Sequence, residues 1–121
     1  MVSELADLAR GLSRVSTARA VVPVVQASRA AVTSRLKAEA SGHRHAPDLP
    51  NKITGDSILG GFGYEAGPLP VGAGKLENLY YFGSSRMAPQ VPDPVIALRA
   101  QAPIVERKLA DSLAAEIVRN L

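Results

Sequence analysis

From Gly42 to Pro92 the chain carries nine of its ten glycines and six of its nine prolines. Residues that lack a Cβ or a backbone N–H at that density leave no room for a sustained helical period. The middle must therefore form turns and short strands, and helices are confined to the two flanks. On the first flank Leu5, Leu8, Leu12 and Val15 recur at spacings of three and four. That pattern predicts an amphipathic helix over residues 3–14, with Ser3 as its N-cap. A second helix is expected over residues 17–41, with Ala18, Val22, Val25, Val32 and Leu36 as its apolar stripe and Gly42 as its stop. Pro23 lies inside that stretch, so it either kinks the helix or moves its start to about Val22.

In the middle, strands are expected over 58–64, 70–72 and 79–82, and Gly60-Gly61-Phe62-Gly63 reads as a bulge or a close backbone approach. Residues 60–76 read as an arm toward a neighbouring subunit, carrying Phe62, Tyr64, Leu69 and Val71, because long connections without a period are usually functional. Asp93-Pro94 combines an N-cap with a proline at the first helical position, and starts a last helix over 93–121 that Pro103 restarts or bends. There Val105, Leu109, Leu113, Ile117 and Leu121 form an i, i+4 ladder, and Leu109, Leu113 and Ile117 are expected in the core. The expected fold is a single α+β domain over 1–121. It has N-terminal helices (3–41), a small antiparallel sheet with a long Gly/Pro-rich loop (42–92), and a C-terminal helix (93–121).

Composition narrows the chemistry. No cysteine is present, which excludes disulfides and thiolate metal sites. Five aromatic residues and no Trp leave the core to Ala, Val, Leu and Ile, and offer little for an aromatic ligand pocket. The net charge of +3 comes from ten arginines and four lysines spread along the chain, where a dedicated nucleic-acid binder concentrates them in a patch. The longest β-branched patch, Val21-Val22-Pro23-Val24-Val25, is too short to span a bilayer, and acids at Glu4 and Asp7 stand where a signal peptide is basic and then apolar. A soluble chain without a membrane partner is expected.

Candidate catalytic motifs fail on spacing. Gly72-Ala73-Gly74-Lys75 suggests a phosphate loop, but Leu69 and Leu76 occupy the positions that need Gly and Ser or Thr. His43-Arg44-His45 with Asp48 offers three candidate ligands around an intervening cation and lacks the spacings of a zinc site. No Ser lies on a nucleophile elbow. The expectation is a protein that is not an enzyme, with no metal and no cofactor.

The densest aromatic tract is Tyr80-Tyr81-Phe82, followed by Gly83-Ser84-Ser85-Arg86-Met87. In a strand Tyr80 and Phe82 share one face and Tyr81 takes the other. Only one face can pack on the subunit's own core, so Tyr80, Tyr81, Phe82, Arg86 and Met87 are candidates for an inter-subunit contact.

The tract from Leu79 to Pro92, with its tyrosine strand, aromatic-Gly-Ser turn and Met-Ala-Pro stretch before a final helix, resembles the tail-completion (minor tail component) proteins of long-tailed bacteriophages. His45-Ala46-Pro47 followed by Thr54-Gly55-Asp56-Ser57-Ile58 is similar to that family's link between a long helix and its first strand. Tyr81 replaces a usual acid, and Val91 to Ala97 departs from the usual Pro-Phe segment, so tail terminators and head-closure proteins stay open as alternatives. The resemblance implies a virion protein of the neck that joins the head connector to the tail tube. Its implied partners are further copies of itself in a ring, with six copies expected, and the neighbouring neck and tail proteins. Packaged DNA would pass close by without specific contact. A small basic DNA-binding module is the reading from another class.

Overall fold

The computed structural model describes residues 2–44, 46–68, 89 and 91–121. Helix α1 spans Val2–Ser13. Helix α2 spans Thr17–Ala40, and a short 3-10 turn, Leu49–Lys52, leads into strand β1, Ile53–Ile58. Strand β2, Gly63–Pro68, returns antiparallel, with Ile53 opposite Pro68 and Ile58 opposite Gly63. Helix α3 runs from Pro94 to Arg119. The architecture is α+β, with three helices and one two-stranded antiparallel sheet among the described residues. No helix among them is long and apolar enough to cross a membrane. The strands expected over 70–72 and 79–82 lie outside the described residues.

Local chemistry sets the helix ends. The Ser16 side chain accepts a hydrogen bond from the Arg19 N–H and caps α2, so the helix begins well before Val22 and runs on through Pro23. Ser3, expected as the cap of α1, lies inside its first turn. After α2, Gly42 takes a φ of +80°, the left-handed stop that a Cβ would disfavour. The Asp93 carboxylate accepts from the Val95 N–H with Pro94 at the first position, as the sequence predicts, and α3 passes Pro103 without a break.

Helices α2 and α3 pack antiparallel along most of their length. The Ser112 hydroxyl donates to the Ala20 carbonyl at 2.6 Å, and further along Ser28 faces Gln101. Ala20, Ser28 and Ala97 are buried, and their small side chains let the backbones approach. The core gathers at the far end of this pair. Val32, Leu36 and Ala40 of α2 meet Ala46, Leu49, Ile53, Val91 and Ala97, with Tyr64 and Ala66 packed against them.

The strand expected over 58–64 is instead the tip of a hairpin. Leu59, Gly60 and Gly61 have φ of 54°, 64° and 96°, three successive positive values that no strand contains. The hairpin rests on α2. A Cβ on Gly55 would stand 1.9 Å from the Thr33 hydroxyl oxygen, so only glycine permits this approach. Arg29 donates to the Gly55 carbonyl at 2.8 Å, and Gln26 donates to the Gly61 carbonyl at 3.0 Å. A lone two-stranded hairpin is marginal in water, and these contacts hold it.

The ladder expectation for α3 needs correcting. Leu109 and Leu113 are half-buried, but Ile117 is 37% exposed, and the buried residue at that level is Glu116. At 3.6 residues per turn each i, i+4 step rotates by about 40°, so a long ladder winds off any fixed face. Leu36→Ala is therefore expected to lower stability by roughly 2–5 kcal/mol, whereas Ile117→Ala should stay under about 1 kcal/mol. Urea midpoints at unchanged slope measure both. Gly55→Ala should destabilise by roughly 1–3 kcal/mol through overpacking. Thr33→Ala in the same chain should return part of that loss, which a double-mutant cycle resolves.

Candidate functional site

Two features of the surface stand out, and neither is a catalytic constellation. The first is α1. It meets the rest of the chain at Gly11, where a Cβ would lie 2.3 Å from the Asn120 carbonyl oxygen, close to Leu121. Among the described residues no other element packs along it. Its leucine stripe faces outward, with Leu5 64%, Leu8 45% and Leu12 47% exposed. The amphipathic pattern was legible in the sequence; that its apolar stripe would be left exposed was not.

The joint that carries α1 is built on Glu116, whose side chain is 1% exposed. The Ser16 backbone N–H donates to its Oε1 at 3.1 Å, the Asn120 amide donates at 3.0 Å, and the Arg19 guanidinium lies 3.5 Å away. Arg119 pairs with its other oxygen. A buried carboxylate is tolerated when its lone pairs are met this fully. One side chain thus ties together the α1–α2 link, the first turn of α2 and the end of α3. The sequence offered only an acid at a position between two apolar residues of the ladder, and no signal of this role.

The second feature is an apolar trough between α3 and the hairpin. Among the described residues the hairpin and α3 both pack extensively on α2 and only sparsely on each other, which leaves space between them. It has two lobes, of about 290 Å³ and 340 Å³, which share Tyr64 and Leu98. Val32, Ala66 and Val95 line the first, and Val25, Ala102 and Val105 line the second. Between them the Tyr64 hydroxyl is bonded to the buried Ser28 at 2.9 Å.

The sequence-derived candidates divide accordingly. Phe62 is exposed at the hairpin tip, as an arm residue would be. Tyr64 is not an arm residue, because β2 turns it inward onto α2, where its hydroxyl meets Ser28. Leu69, Val71, Tyr80, Tyr81, Phe82, Arg86 and Met87 lie outside the described residues, as do Gly72 to Lys75. Among the described residues no three His, Asp or Glu side chains gather as metal ligands. Arg10, Arg19, Arg35 and Arg119 each pair with a carboxylate of the chain, at Asp7, Glu116, Glu39 and Glu116.

Comparison with protein-family models, curated proteins and solved structures finds no match to this chain.

Replacing Glu116 with Ala should cost about 1–3 kcal/mol, because the Ser16 N–H loses its partner in a buried place. Arg119→Ala should cost under about 1 kcal/mol, since that guanidinium is largely in water. Chemical denaturation of the two variants separates these outcomes.

Proposed function

We propose that the chain is a structural ring subunit of a long-tailed bacteriophage neck, acting where the head connector meets the tail tube. One observation carries the assembly part of this reading. Among the described residues, helix α1 presents its leucines outward and meets its own subunit closely at Gly11. An amphipathic helix in that state buries its stripe on a partner. The phage assignment rests on the resemblance of the tyrosine-Gly-Ser tract and of the Ala-Pro and Thr-Gly segments to tail-completion proteins. The finer position within the neck, as completion, terminator or closure protein, belongs to the same proposal.

The paired arginines weigh against the DNA-binding alternative. Four guanidiniums are engaged by carboxylates of the same chain, which lowers the charge available to phosphates.

The purified chain is expected to form a closed oligomer of discrete mass, six copies in the leading form, or to do so on mixing with connector and tail-tube proteins. Native mass spectrometry reads this directly. Leu5→Ser, Leu8→Ser and Leu12→Ser together should leave the thermal midpoint within a few degrees, because all three side chains are exposed. The same triple change should abolish the oligomer. A chain that stays monomeric alone and with those components would overturn the reading.

A further inference from the structure

The trough and the unpacked helix belong to one chain and match each other. Leu5, Leu8 and Leu12 stand at i, i+3 and i+7, the anchor spacing with which an amphipathic helix enters an apolar groove. They span about 10 Å along α1, and the α3 wall of the trough from Val95 to Val105 spans about 15 Å. The subunit's own α1 cannot reach that wall. Gly11 is fixed against Asn120 and Leu121. Asn120 lies about 21 Å along the helix from Glu106, the near end of the trough, whereas α1 extends back only about 14 Å from Gly11.

The charge at the second lobe agrees with one orientation. Glu4 flanks the leucine stripe near the start of α1, and Arg14 follows its last turn. Next to the trough Arg99 stands exposed beside Leu98, Glu65 lines the first lobe and Glu106 lines the second. If α1 lies parallel to α3, Arg14 meets Glu106, and Glu4 lies between Arg99 and Glu65. Glu4 and Arg14 stand about 15 Å apart on α1, and Arg99 and Glu106 about 10 Å apart on α3, within the reach of these side chains.

We propose that this trough receives helix α1 of a second copy of the chain, oriented parallel to α3. Donor and acceptor surfaces differ, so the joint is heterologous, and repeated in one sense it closes a ring. The proposal rests on the ring-subunit reading and specifies its interface.

Complementing variants test it. Leu8→Ser with Leu12→Ser removes the donor, and Leu98→Glu blocks the acceptor, with Ala102→Glu as a second blocking variant at an exposed position. Thermal midpoints by circular dichroism establish that each is folded. Each variant alone is expected to be monomeric by native mass spectrometry under conditions where the unaltered chain assembles. Mixed in equal amounts, they should form a heterodimer that grows no further, because one intact joint remains. Glu106→Arg should weaken assembly about fivefold, and Arg14→Glu in the same chain should restore it. Variants that assemble alone, or a mixture that stays monomeric while the unaltered chain assembles, would overturn the joint and leave the ring reading standing. Open chains that depend on both surfaces would uphold the joint and overturn the ring. An unaltered chain that never self-associates would overturn both.

Discussion

The close antiparallel approach of α2 and α3 is the contact on which the other elements depend. It is made possible by small residues at the crossing, Ala20, Ser28 and Ala97, and it is secured at one end by the buried Glu116 carboxylate. A larger residue at Ala20 or Ala97 would separate the helices and open the core. The Ser112 hydroxyl adds a second acceptor bond to a helical carbonyl at Ala20, one turn from the place where Pro23 supplies no N–H. The pair is thus held partly by apolar contact and partly by hydrogen bonds whose partners come from the other helix.

The hairpin is secondary to that pair. Two strands cannot stand alone, and this hairpin lies on α2 through Gly55 and through the Gln26 and Arg29 side chains that meet its carbonyls. Because it leans on α2, it meets α3 only sparsely, and the trough on either side of Tyr64 lies between them. The surface feature with the clearest binding character is therefore a by-product of how a glycine in β1 fits a threonine in α2.

Helix α1 stands at the weak end of this arrangement. Among the described residues it comes close to the rest of the chain at Gly11, backbone on backbone, and its leucines are largely exposed. An element with few buried contacts opens at low free energy. A neighbouring subunit that covered the leucines would add to the stability of both partners by mass action. Assembly and the ordering of α1 would then be one process.

Much of the fold could be read from local chemistry. Asp93-Pro94 announced α3 and Gly42 ended α2, because each of these effects acts within one turn of the chain. The leucine spacing likewise determined that α1 is amphipathic. It could not say what the stripe would meet, since burial depends on where the rest of the chain goes. The same limit explains Ile117 and Glu116: an i, i+4 ladder rotates as it climbs, and only the position of α2 decides which step faces inward. Tyr64 was legible as a residue of an expected strand, and Gly55 carried no structural reading of its own. Their roles, a bond to Ser28 and a seat against Thr33, join residues more than twenty positions apart, and that proximity exists only in the folded chain.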